Sequence, residues 1–96
     1  MTAASDSSVW RRVTIVNGRG LHARAAAKFV KLAGTFDAEI IVARNDMEVS
    51  GSSIMGLMML GAAPGCELEL RASGQAAEAA LEALSSLIAN RFDEEI

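Results

Sequence analysis

Apolar and polar positions change their period several times along the chain, and each change marks an element. In "VWRRVTIV" (9–16) they alternate, Val13 and Ile15 on one side and Arg12 and Thr14 on the other, which predicts a half-buried strand. After the loop "NGRG", Ala26, Phe29, Val30 and Ala33 recur at helical spacing from Ala23 to Ala33, with Gly34 as a stop. "DAEIIVAR" reads as a second strand with Ile40 and Val42 on one face, "ND" as a turn and "MEVS" as a short third strand. "GSSIMGLMMLG" opens on a serine cap candidate and ends at Gly61, a short helix. Pro64-Gly65 predicts a turn, and "CELELRA" alternates as a fourth strand. Beyond Gly74, Ala77, Leu81, Leu84 and Ile88 trace a long amphipathic helix with Glu78 and Glu82 outward.

The order βαββαβα gives an α+β class: an open-faced β-sandwich, a four-stranded antiparallel sheet with three helices on one face. Residues 1–8 are expected to form a flexible polar leader, 9–92 a single domain, and 93–96 an acidic tail that frays.

The 96 residues leave room for one core. No apolar run approaches the ~20 residues that span a bilayer. "MTAASDSS" has neither a basic n-region nor an apolar h-region, so no secretory signal is expected. The single Cys66 fits a reducing cytoplasm and is expected to be a small buried hydrophobe. A net charge of −3 and the lack of tyrosine argue against nucleic-acid binding. The distribution of charge is more informative. Arg11, Arg12, Arg19, Arg24, Lys28 and Lys31 lie between Ser7 and Phe36 with no acid among them, whereas the acids dominate after Asn45. One end of the domain should therefore attract a small anion or an acidic surface.

The only histidine, His22, falls in that basic stretch, just before the first helix. Backbone N–H groups there lack intrahelical acceptors and the helix dipole is positive, so a phosphate would be held and a neutral imidazole favoured. A neutral ring has a free nitrogen and can act as a nucleophile, with Arg19 and Arg24 to stabilise an incoming phosphoryl group. Gly18 and Gly20 would let the loop approach closely at positive φ. No carboxylate is expected beside His22, and the sequence has no second histidine or cysteine cluster for a metal and no P-loop. Such a site can accept a phosphoryl group without activating one, which describes a carrier. The alternative from the residues alone is a histidine that only caps or packs.

"GLHARAAAKFV", "SSIMGLMMLG", "PGCELEL" and "SGQAAEAALEAL", in this order, resemble the histidine-containing phosphocarrier (HPr) family of the phosphoenolpyruvate-dependent phosphotransferase system, from about Trp10 onward. "FDAE", "RND" and "FDEE" are similar to its nitrogen-related (NPr-like) branch. The resemblance implies that His22 is phosphorylated by enzyme I, that Arg24 stabilises the phosphate, and that an EIIA-type protein accepts it. It implies no cofactor, no metal and no enzyme in the catalytic sense. Ala25 departs from the usual proline, which should leave Arg24 slightly looser, and Arg19 replaces a small polar residue.

Ser53 reads first as an N-cap. The resemblance adds regulatory phosphorylation there by a serine kinase/phosphorylase. Leu57 and Leu60 are spaced to face the sheet, which leaves Ile54, Met55 and Met58 outward as an apolar patch for partners. The family docks partners with this helix and the start of the first, adding Ala23 and Lys31 to the surface. Trp10 is expected to pack at a strand edge. The expected protein is a cytoplasmic monomer without nucleic-acid or membrane partners; the rival reading is a regulatory module whose phosphorylation state partner enzymes read, with little onward transfer.

Overall fold

A computed structural model describes residues 8–94. Apart from Ser8, the expected leader lies outside the described residues, as do the last two residues of the expected tail. The elements run β1 (Val9–Thr14), α1 (Ala23–Ala33), β2 (Glu39–Arg44), β3 (Met47–Ser50), α2 (Ile54–Met59), β4 (Glu67–Ser73) and α3 (Ala77–Ala89). The strands form one antiparallel sheet in the order β1-β4-β2-β3. This is the α+β open-faced sandwich that the periodicities predict.

The register explains the alternation. Val13 pairs with Leu68, and Val42 with Leu70, so the apolar residues of three strands share the helix-covered face. Ile15, Val42, Leu68 and Leu70 are buried there with Phe29 and Ala26 of α1, Leu57 of α2, and Leu81, Leu84 and Ile88 of α3. The opposite face is polar: Arg71 of β4 pairs with Glu48 of β3 and lies 3.0 Å from Glu69. Trp10 belongs to that open face. It is on edge strand β1 but 61% exposed, with the Arg12 guanidinium 6.0 Å from its ring centre, so it stacks against a cation and does not enter the core. Cys66 is half-buried against the core.

The segment after α3 differs from the expected fraying tail. Arg91, Phe92 and Asp93 form a tight turn at φ 60°, 53° and 64°, three consecutive non-glycine residues in the left-handed region. Phe92 is fully buried in the core, which fixes the turn. The Lys28 ammonium donates to the Phe92 carbonyl at 2.7 Å, tying the segment to α1. Two acids among the charges made the stretch look solvated, but one aromatic ring decides its path. Among the described residues no helix is long and apolar enough to cross a membrane.

Candidate phosphoryl-acceptor site

His22 is the N-cap of α1, at φ −79° and ψ 179°, with its carbonyl accepting the first helical bond from Ala26 N–H at 2.8 Å. Its side chain makes no capping bond, and no acid lies in the first helical turn. The amides at the helix start are therefore not satisfied by the residue that precedes them. Ala23 and Arg24 are exposed beside it, and Ala25 is buried. The helix begins at Ala23 without the proline, since alanine has high helix propensity.

The loop before α1 is held by close packing. Gly20 sits at φ 68°, and a Cβ there would come within 2.5 Å of the Ala62 carbonyl oxygen. Leu21 N–H donates to that same carbonyl at 2.9 Å, which joins the His22 loop to the chain leaving α2. Gly20 thus supplies both the positive φ and the close approach. Gly18 supplies no positive φ.

One expectation is corrected. A carboxylate does lie beside His22: Glu94 bonds its Nε2. The ring is 24% and the carboxylate side chain 14% exposed. Glu94 is 72 positions away, so no local motif could reveal it; only the left-handed turn around Phe92 brings it back. Asn17, the buried polar residue of the core region, holds the carboxylate. Its Nδ2 donates to the Gly20 carbonyl at 2.8 Å and to Glu94 Oε1 at 3.1 Å. The Glu94 carboxyl is held below the usual carboxylate range, chiefly by the bond from the His22 ring and next by the Asn17 amide, with the charge of Arg19 adding to them. His22 therefore does not sit in a purely positive field, as the local charge pattern suggested.

Ser53 caps α2: its Oγ accepts the Gly56 N–H at 2.9 Å. Leu57 and Leu60 are buried, while Ile54, Met55 and Met58 are exposed, Met55 at 72%. Met59, at 66% exposed, belongs to the same apolar surface and went unnoticed in the sequence because it falls between the expected core positions. The helices α1 and α2 pack against each other, and Lys31 is exposed in the last turn of α1. The Arg44 guanidinium donates to the Leu60 carbonyl at 2.8 Å and closes the end of α2. No group of three or more potential metal ligands occurs among the described residues.

The family model described as "PTS HPr component phosphorylation site" matches residues 9–90. The chain belongs to the HPr family. It is 52% identical over 83 residues to phosphocarrier protein HPr of Pseudomonas aeruginosa, covering 85% of this chain and 92% of that one. To phosphocarrier protein NPr of Shewanella violacea it is 46% identical over 84 residues, covering 88% and 92%. The crystal structure of HPr-C-His from Thermoanaerobacter tengcongensis superposes with a TM-score of 0.87 at 41% identity, covering 92% of this chain and 99% of that one. HPr membership gives the coarse role: a bacterial phosphocarrier of the phosphotransferase system, a relay component and not a catalytic enzyme.

Proposed function

We propose that His22 is the residue that carries the phosphoryl group, received from enzyme I charged by phosphoenolpyruvate and passed to an EIIA-type acceptor protein. The observation that supports this most is the placement of the only histidine. It is part-exposed at an uncapped helix start, in a chain matched by a phosphorylation-site family model. Arg24, exposed in the first turn, is the residue to stabilise the developing phosphoryl charge. Ile54, Met55 and Met58, with Ala23 and Lys31, form the docking surface that donor and acceptor share, and Met59 extends it. Methionine suits such a role because its flexible side chain repacks against unlike partners. Ser53 is a regulatory site where a serine kinase is present: phosphate there would place nearly two negative charges beside the apolar patch and repel acidic partners. The protein works in the cytoplasm as a monomer.

Incubation with enzyme I and phosphoenolpyruvate should give one acid-labile, base-stable phosphate per chain. Arg24→Ala should fold normally and accept phosphate more slowly. Equal labelling of His22→Ala would overturn the carrier reading.

A further inference from the structure

Methionine ordinarily fills irregular gaps in cores. Here the apolar cluster contains none, and the methionines of the described residues, Met47, Met55, Met58 and Met59, are all exposed. Met55 and Met59 are the most open, at 72% and 66%, against 43% for Met47 and Met58. They stand four residues apart on α2, so their thioethers share one side of that helix. The other sulfur, Cys66, is half-buried against the core. We propose that Met55 and Met59 are a reversible oxidation site: hydrogen peroxide converts their thioethers to sulfoxides, and the sulfoxides weaken docking on α2 while the fold stays intact. This rests on the reading that α2 is the surface shared by donor and acceptor.

In the oxidation a sulfur lone pair attacks one oxygen of the peroxide. The S–O bond forms as the O–O bond breaks, and the departing hydroxide takes the proton from the new sulfoxide oxygen and leaves as water. Sulfur gives up two electrons and the peroxide is reduced. The return requires a dithiol reductant, as in the methionine sulfoxide reductases: two thiols become a disulfide and the oxygen leaves as water.

The change matters because of what surrounds it. A sulfoxide is a polar group with a strong acceptor oxygen, and burying it without a donor is costly. The side chains of α2 are Ile54, Met55, Leu57, Met58 and Met59, around Gly56, and none of them can donate a hydrogen bond. A partner that matches the basic stretch of α1 with carboxylates brings acceptors as well. The oxidised helix would thus meet its partner with unpaired oxygen atoms where the reduced one offers adaptable apolar side chains. The fold depends on other groups of α2. Leu57 and Leu60 are buried, Ser53 Oγ accepts the Gly56 N–H at 2.9 Å, and Arg44 donates to the Leu60 carbonyl at 2.8 Å. Oxidation therefore acts on recognition without opening the core.

The test treats the full chain with hydrogen peroxide, removes the oxidant, and follows each methionine by peptide mass spectrometry. Met55 and Met59 should gain oxygen first. Titration with enzyme I should then show about tenfold weaker binding, with Tm nearly unchanged. Sulfoxide reductases of both stereochemical classes, with dithiothreitol, should restore the affinity. The Met55→Leu/Met59→Leu variant is compared with itself: whatever affinity it starts from, peroxide should leave it unaltered. Later oxidation of Met55 and Met59 than of Met47 and Met58 overturns the proposal. So does equal binding of the oxidised protein, or the same loss of binding in the leucine variant. Failure of the docking reading is told apart by Met55→Glu: if that charge also leaves enzyme I binding unchanged, α2 is not the docking surface.

Discussion

Truncating Phe92 to alanine separates the anchor of the His22–Glu94 contact from the strain that the anchor holds. Phe92 and Phe29 are both essentially unexposed and belong to one apolar cluster. In rigid surroundings either Phe→Ala change would cost about 3–5 kcal/mol. They differ in what the chain can do afterwards. Phe29 lies in the middle of α1, with helical bonds on both sides, so its cavity cannot collapse without breaking the helix. Phe92 lies beyond α3, in a turn where three left-handed residues together hold about 3–6 kcal/mol of strain. Burial of the ring at about 2–3 kcal/mol and the Lys28 bond at about 1.5–3 kcal/mol nearly balance it.

Without the ring the turn should detach, and the recovered strain and chain entropy should lower the cost to about 1–3 kcal/mol. A difference of about 2 kcal/mol between the two variants corresponds to roughly 8–16 °C in Tm for a domain of this size. Urea unfolding gives both free energies, and amide exchange at Asp93 and Glu94 reports detachment. Arg91→Gly relieves one strained residue with the anchor intact, and should stabilise the fold by up to about 1 kcal/mol. Equal losses for Phe92→Ala and Phe29→Ala, with the amides after α3 still protected, would refute the reasoning.

The remaining predictions concern the cap, the patch and pH. Ser53→Ala removes the acceptor of the Gly56 N–H and should cost about 1 kcal/mol, read as a lower urea midpoint at constant m. Met55→Glu, at a largely exposed position, should change stability by less than about 0.5 kcal/mol, yet weaken binding of donor and acceptor alike in titrations; unfolding would show that the methionine is core. The Glu94 carboxyl is depressed on folding by the His22 ring and then by Asn17, so its contribution is present above the unfolded carboxylate value and is lost as pH falls through the folded one. Acidification through that window should release the Phe92 turn, followed by amide exchange, and Glu94→Gln should lack the step.

The periodic elements were legible because each buries one face. The α1 limits Ala23–Ala33 match the spacing of Ala26, Phe29, Val30 and Ala33, and the inward sets of β2 and β4 match the alternation of Ile40 and Val42, and of Leu68 and Leu70. The outward side of α2 was legible for a related reason. A helix of six residues has one inward face, and Leu57 with Leu60 behind it fills that face. Trp10 stands on the edge strand β1 as expected, but its side of the sheet is left uncovered by any helix, so it does not pack into the core. Its neighbours on the open face are Arg12 and Arg71, and an aromatic can rest on a cation there.

Glu94 was not legible, and the reason lies in how the site is made. Local signals describe what a residue does to its own turn; the partner of His22 arrives through an aromatic anchor in a left-handed turn that carries no glycine to announce it. The hint that the sequence itself carries is an isolated Phe92 among acids, an apolar residue too costly to leave in water at about 2–3 kcal/mol. Following that residue into the core would have forced the question of where the next two side chains point. The buried Asn17 posed the same question from the other side, since an amide without exposure must spend its protons on partners. One of those partners is the loop carbonyl of Gly20, within reach in sequence, and the other had to come from elsewhere in the chain. Two residues with unmet needs, one apolar and one polar, thus converge on a single carboxylate and aim it at the histidine.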